Sequence, residues 1–294
     1  MMKRLTGSIT ALVTPFRNGA VDDLAFQNLV ERQIAEGTHG LVPVGTTGES
    51  ATLTDAEHER VIRLCVEAAA GRAPVIAGAG SNDTAYAVSM AKRVEGFGAD
   101  AVLALTGYYN RPSQPGLIAH FTALNDAIGL PIIVYNVPAR TASDIAVATL
   151  AQIAKLPRIV GVKDATGDLA RVALHRRVCG PDFIQLSGED MTAVGFNAMG
   201  GEGCISVTSN IAPGLCADMQ EATRDKDYDK ARALQDRLAP LHDALFADTS
   251  PGPAKYALSL LGLCTDEVRL PLVRASEPAR QKVRAALDEL GLVG

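Results

Sequence analysis

Eight short apolar runs rich in β-branched residues recur along the chain as far as Val207, and their spacing limits what it can fold into. They are Ser8–Val13, Gly40–Val44, Val75–Ala79, Ala101–Leu105, Ile132–Tyr135, Ile159–Val162, Phe183–Leu186 and Gly203–Val207. Their starts lie about 20 to 35 residues apart, the length of one strand-loop-helix-loop unit. Helical patterns fill the gaps. Val61, Ile62, Cys65, Val66 and Ala69 share one face behind a Thr54-x-x-Glu57 capping box, and a second pattern runs from Thr84 through Val88, Ala91 and Val94. Near-continuous apolar strands alternating with helices imply a parallel sheet covered on its outer side. Eight such units predict an α/β fold, a (β/α)8 TIM barrel. An open doubly wound sheet is the alternative. Its dinucleotide-binding form is weakened because no G-x-G-x-x-G follows the first run.

Past about residue 224 the strand pattern stops, and three helical stretches follow: Asp225–Ala247, Pro253–Leu261 and Glu277–Leu290. Val283, Ala286, Leu287 and Leu290 make an apolar stripe on the last. The expected division is a catalytic barrel over 1–224 and a C-terminal helical region over 225–294, packed on the barrel or on a neighbouring subunit.

Composition narrows the function. Hydrophobic residues make up 47% and charged residues 21%, the balance of a chain with a large core. The net charge of −5 and the lack of a basic cluster speak against nucleic acid as a partner, and with aromatics at 4% and no Trp there is little to stack on bases. The five cysteines, Cys65, Cys179, Cys204, Cys216 and Cys264, contain no C-x-x-C pair and read as free thiols of a reducing compartment. No run approaches the ~18 apolar residues of a membrane span. Thr6, Gly7, Ser8, Thr10 and Thr14 interrupt any secretory h-region in Met1–Arg17, so the expected location is cytoplasmic. His39, His58, His120, His175 and His242 show no H-x-H or H-E-x-x-H spacing, so neither a metal nor another cofactor is expected.

Barrel enzymes carry their chemistry at the C-terminal ends of the strands. There the sequence places Gly45-Thr46-Thr47-Gly48-Glu49-Ser50, Thr106-Gly107-Tyr108-Tyr109-Asn110, Tyr135-Asn136-Val137-Pro138 and Lys163-Asp164-Ala165-Thr166-Gly167. A lysine on the inner face of a barrel loses hydration, which favours the neutral, nucleophilic amine. Such an amine can form an imine with a ketone, an electron sink for making or breaking the adjacent C–C bond. Lys163 is the candidate; the plainer reading pairs it with Asp164 or a loop acid. The glycine-flanked Thr46-Thr47 can hold a carboxylate on backbone N–H groups and hydroxyls, or can be a simple βα turn. Three of the six tyrosines, Tyr108, Tyr109 and Tyr135, fall at strand ends, where a phenol can shuttle protons or simply pack with its hydroxyl satisfied. Arg140 can clamp a carboxylate bidentately or sit in a surface salt bridge.

Taken together, Gly45-Thr46-Thr47-Gly48-Glu49, Tyr108-Tyr109-Asn110-Arg111-Pro112, Tyr135-Asn136-Val137-Pro138-Ala139-Arg140-Thr141 and Gly161-Val162-Lys163-Asp164-Ala165-Thr166-Gly167 resemble the dihydrodipicolinate synthase family, within the superfamily of pyruvate-dependent Schiff-base lyases. The resemblance runs from about Gly7 to Leu292 and includes Leu186-Ser187-Gly188 and Gly203-Cys204-Ile205-Ser206-Val207-Thr208. It implies condensation of pyruvate, held as an imine on Lys163, with L-aspartate 4-semialdehyde in lysine and diaminopimelate synthesis. Tyr135, Thr46 and Tyr109 would move protons, with Tyr109 supplied by an adjacent subunit of a homotetramer built from two dimers. Thr47 and the backbone around Ile205 would hold the pyruvate carboxylate, and Arg140 the carboxylate of the semialdehyde. The alternative within the superfamily is a sugar-acid aldolase or N-acetylneuraminate lyase. These share the lysine and tyrosine, vary the Thr-Thr pair and lack the arginine placed as Arg140 is. In members inhibited by lysine, the inhibitor site corresponds to Ser50, Ala51, Asp55, His58, Asn82, Tyr86 and Tyr108. Position 55 there is often His and position 86 is Glu, so the loss of a carboxylate at Tyr86 implies weakened feedback inhibition.

Overall fold

The structure, a computed structural model, describes residues 5–293. Residues 1–4 and 294, which belong to the expected 1–224 and 225–294 divisions, lie outside it, as does the start of the segment read for a secretory signal. Eight strands form the barrel: β1 (Gly7–Ala11), β2 (Gly40–Val42), β3 (Ile76–Gly78), β4 (Ala101–Leu105), β5 (Ile132–Asn136), β6 (Ile159–Asp164), β7 (Ile184–Ser187) and β8 (Gly203–Ser206). They are parallel and hydrogen-bonded in the order β2-β1-β8-β7-β6-β5-β4-β3. The seam between β2 and β3 closes through a bridge from Leu41 to Val75 and a bond from the Gly78 N–H to the Pro43 carbonyl at 3.2 Å.

The period of two along a strand separates the two faces of the barrel wall. On β5, Ile133 and Tyr135 join the inner cluster with Ile9, Val42, Ile76, Leu103, Leu186 and Ile205. Ile132 and Val134 join the outer cluster under the helices. Val162 of β6 also faces outward, and Lys163 next to it therefore faces in. The apolar run Ile159–Val162 stops one residue short of the lysine, but the ladder continues through it. Lys163 pairs with Tyr135 on one side and Leu186 on the other, because backbone bonds do not depend on side-chain polarity.

The outer layer is built by α1 (Asp23–Ala35), α2 (Asp55–Ala69), α3 (Thr84–Gly96), α4 (Gln114–Ala127), the short α5 (Pro138–Thr141), α6 (Val147–Ile153), α7 (Ala170–Cys179), α8 (Ala193–Ala198) and α9 (Pro213–Arg224). Thr54 caps α2 in the expected capping box with Glu57. The tail adds α10 (Tyr228–Ala244), α11 (Gly252–Leu260) and α12 (Glu277–Leu290), shifted by a few residues at most from the sequence pattern. Leu238, Leu241, Ala257 and Val283 of this tail share one apolar cluster with Val13, Leu29, Cys204 and Ile211 of the barrel. A two-residue hairpin, Phe16–Arg17 against Ala20–Val21, escapes any periodicity because its strands are too short. Its Asn18-Gly19 turn has φ of 54° and 83°, the left-handed pair that a tight hairpin needs. Among the described residues no helix is long and apolar enough to cross a membrane.

Candidate active site

Lys163 is buried and its Nζ lies 4.2 Å from the centroid of the Tyr135 ring. The pairing with Asp164 allowed by the sequence is not made. The Asp164 carboxylate instead accepts the Thr166 hydroxyl at 2.6 Å, the Thr166 N–H at 2.9 Å and the Arg171 Nε–H at 3.0 Å. Arg171 also reaches Asp144 at 3.1 Å and the Ile145 carbonyl at 2.7 Å, so the end of β6 is tied to the segment after β5. Among the described residues Lys163 forms no ion pair, which leaves its amine uncommitted. Space around it is close-fitting. A Cβ added at Gly188 would stand 2.6 Å from the Ala165 Cβ and 3.1 Å from the Lys163 Cε, so only glycine lets the end of β7 pass the lysine.

The turn after β2 presents Thr46 half-buried and Thr47 buried. Its backbone closes on itself, with Gly48 N–H on the Gly45 carbonyl and Glu49 N–H on the Thr46 carbonyl, both at 3.1 Å. The Thr14 hydroxyl donates to the Gly48 carbonyl at 2.7 Å. Val44 (φ 49°) and Glu49 (φ 54°) flank the turn in the left-handed region, a conformation costing on the order of 1–3 kcal/mol per non-glycine residue. The neighbouring structure holds them there. The Gly78 position leaves no room for a Cβ, which would fall 2.4 Å from the Val44 carbonyl oxygen.

The ends of β4 and β5 behave differently. Tyr108 is 39% exposed and Tyr109 is 91% exposed, with Tyr109 (φ 68°) and Arg111 (φ 46°) both left-handed. Asn110 Nδ2 donates to the Asn82 carbonyl at 2.8 Å, bracing this loop against the one after β3. Below β5, Asn136 donates to Asp144 at 2.7 Å and accepts the Ile145 N–H at 3.2 Å, which fixes the segment carrying α5. Arg140, on α5, is exposed and makes no ion pair among the described residues.

One cavity of about 450 Å³ opens above these strand ends. Its walls bring together Thr46, Tyr135, Arg140 and Tyr108, with Ser50, Ala51, His58 and Tyr86 from the expected inhibitor site. Lys163 is not in the wall but lies against Tyr135, which is. Thr47 and Ile205 are buried outside the wall, and Tyr109 turns away from it. Among the described residues no hydrogen bond joins the hydroxyls of Thr46, Tyr135 and Tyr109. Asn82 contributes its carbonyl to Asn110 and does not reach the cavity.

The electrostatics of the cavity's flank depart from ordinary values. Burial pulls His58 down to about 4, with the Arg93 guanidinium adding to the effect. Asp55 accepts the Tyr86 hydroxyl and pairs with Arg93 at 3.0 Å. The Tyr86 and Arg93 hydrogen bonds hold its carboxyl below the usual range. The carboxylate missing at position 86 therefore reappears on Asp55, already committed to two partners.

Sequence reasoning missed part of the wall. Ser250, Pro271 and Leu272 line the cavity from the C-terminal region, with no nearby strand end to mark them. Glu49 was only a member of a motif. It is 3% exposed, forms an ion pair with the wholly buried Lys255 of α11, and its other oxygen accepts the Arg269 N–H at 3.0 Å.

The dihydrodipicolinate synthetase family matches residues 4–290. The chain belongs to that family. Similar relatives include the 4-hydroxy-tetrahydrodipicolinate synthase of Parvibaculum lavamentivorans, 61% identical over 98% of this chain and 99% of its own. Among solved structures, chloride-inhibited dihydrodipicolinate synthase from Acinetobacter baumannii, complexed with pyruvate, superposes with a TM-score of 0.97 at 41% identity. That match covers 99% of this chain and 100% of the other. The enzyme from Cyanidioschyzon merolae with lysine bound gives a TM-score of 0.95 at 38% identity, covering 98% of this chain and 99% of that one. The family's barrel, closed by parallel strands and covered by helices, is the architecture described above.

Proposed function

We infer that this chain is a 4-hydroxy-tetrahydrodipicolinate synthase, a Schiff-base-forming lyase that condenses pyruvate with L-aspartate 4-semialdehyde on the way to diaminopimelate and lysine. One observation carries the reading: an uncommitted Lys163 amine on the inner barrel face, against a tyrosine that lines the same cavity as Thr46 and Arg140. The Lys163 amine adds to the keto carbon of pyruvate and water leaves, giving an imine. Loss of a methyl proton converts it to an enamine, whose carbon attacks the aldehyde and forms the new C–C bond. The amino group of the second substrate then displaces Lys163 and closes the ring, restoring the free lysine.

Tyr135 exchanges the protons of the carbinolamine and of the aldehyde oxygen, and Thr46 and Tyr109 pass them to solvent. Thr47 and the backbone at Ile205 receive the pyruvate carboxylate, and Arg140 at the cavity mouth receives that of the semialdehyde. Tyr109 points out of its own subunit, in keeping with a site completed by the adjacent subunit of a homotetramer of two dimers. A biosynthetic enzyme of this kind works in the cytoplasm. The commitment of Asp55 to Tyr86 and Arg93 leaves no free carboxylate for a lysine ammonium among Ser50, Ala51, His58, Asn82, Tyr86 and Tyr108, so feedback inhibition is weak. Strong inhibition at low lysine concentration would contradict that last point.

The test is a two-substrate assay. Purified protein should consume pyruvate and aspartate semialdehyde together, with no cleavage of N-acetylneuraminate or a sugar acid. Cleavage of those acids without use of the semialdehyde would move the reading to the aldolase side of the superfamily.

A further inference from the structure

The buried pair Glu49–Lys255 does nothing in the chemistry above, yet it joins the Thr46-Thr47 turn to a helix that follows the whole barrel in sequence. Glu49 is linked to Thr46 directly, because its N–H donates to the Thr46 carbonyl at 3.1 Å. Glu49 lines the cavity beside Thr46, and its carboxylate is held by two anchors on the C-terminal region, the Lys255 ammonium and the Arg269 N–H at 3.0 Å. Both side chains of the pair are 0% exposed.

The anchors are themselves fixed. Lys255 Nζ donates to the Glu267 carbonyl at 2.8 Å and lies 3.9 Å over the Phe16 ring. The Arg269 guanidinium stacks on the same ring at 4.3 Å and donates to the Thr52 carbonyl at 2.9 Å and the Gly19 carbonyl at 2.7 Å. It also grips Glu57, whose carboxyl it holds down to about 2. Thus Glu49, Thr52 and Glu57, all on the C-terminal side of the active-site turn, are clamped by one C-terminal segment.

A buried ion pair is a weak source of stability, because desolvation offsets most of its attraction and an apolar pair of similar shape often does as well. What it supplies that an apolar pair does not is direction. A charge with two fixed partners holds the Glu49 carboxylate at one point, and with it a left-handed backbone that would otherwise relax. We propose that Glu49 and Lys255 are positioning residues for the synthase reaction, the pair holding the Thr46 and Thr47 hydroxyls in place from the C-terminal region. The proposal rests on the lyase reading.

The experiment compares wild type with Glu49→Gln and with the double variant Glu49→Gln/Lys255→Met, which leaves no charge buried alone. Active sites are first counted as the fraction of chains that borohydride traps with pyruvate at Lys163, so that unfolded protein is excluded. Then kcat per trapped site and the KM for each substrate are measured. The expected result is a fall of at least fivefold in kcat per site with a raised KM for pyruvate, while the KM for the semialdehyde, held from α5 by Arg140, changes less than twofold. A kcat per site within fivefold of wild type in the double variant makes the pair merely structural and overturns the proposal. A wild type that traps no pyruvate overturns the lyase reading itself, a distinct outcome read before any variant is compared.

Discussion

The loop after β2 and the loop after β4 both supply groups to one cavity, and the chain treats them in opposite ways. The first is finished within the subunit. Its Thr47 and Glu49 are buried, its carbonyls are bonded, and α11 and the segment around Arg269 bolt it down. The second is equally strained at Tyr109 and Arg111 but leaves Tyr109 91% exposed. Backbone strain persists only where surroundings over-determine it. For the first loop those surroundings are the chain's own C-terminal region. The second is braced within the chain by Asn110 on the Asn82 carbonyl, and the subunit proposed to receive Tyr109 would supply the rest.

The largest expected effect breaks the first loop. Lys255→Met leaves Glu49 charged and buried without its main partner, and should cost about 3–5 kcal/mol in urea unfolding. Burial already lowers the Lys255 pKa against the pull of Glu49, so the pair is under tension before it is cut.

A pH effect of intermediate size comes from the flank between the two loops. His58 is neutral in the folded protein down to about pH 4, whereas the unfolded chain takes up a proton below its ordinary value of 6.5. The unfolded state then binds more protons, so stability is full above about 6.5 and falls as pH drops toward 4, by up to about 3 kcal/mol. His58→Gln should flatten that slope in thermal melts across the same window. An unchanged slope would show that His58 is not its source.

The smallest effect on the fold, and the sharpest on the contrast, is Tyr109→Phe. An exposed ring should change stability by no more than about 0.5 kcal/mol. Its kcat should nevertheless fall about ten- to hundredfold, or roughly 1.4–2.7 kcal/mol on the barrier. Mixed oligomers of Tyr109→Phe with Lys163→Ala chains should regain activity, since each hybrid dimer then has one site with both groups. Failure to complement would place Tyr109 in its own subunit's site and erase the difference between the loops.

The barrel was legible because each strand is a short apolar run between helix patterns, and parallel strands need no long-range cue beyond that rhythm. The placement of Lys163, Tyr135, Thr46 and Arg140 near the C-terminal ends of the strands was legible because polar residues there follow apolar runs that a core would otherwise continue. The inner face of Lys163 was not fixed by its uniformly apolar run and emerged with the structure, where Val162 joins the outer cluster. Glu49's grip on Lys255 was not legible: the partners lie far apart in sequence, and nothing in Pro253–Leu261 distinguishes a buried lysine from the surface lysines that are its norm. The Phe16 hairpin and the wall residues Ser250, Pro271 and Leu272 were hidden likewise, since they take part through tertiary packing and not through any local pattern.

The central claim is that Lys163 is free to form an imine, and trapping tests it most directly. Incubation with pyruvate and borohydride, followed by peptide mass mapping, should place one reduced pyruvate adduct on the peptide containing Lys163, with none in Lys163→Ala. An unmodified Lys163 in folded protein, or an adduct on Lys255 or any other lysine in its place, would contradict the account.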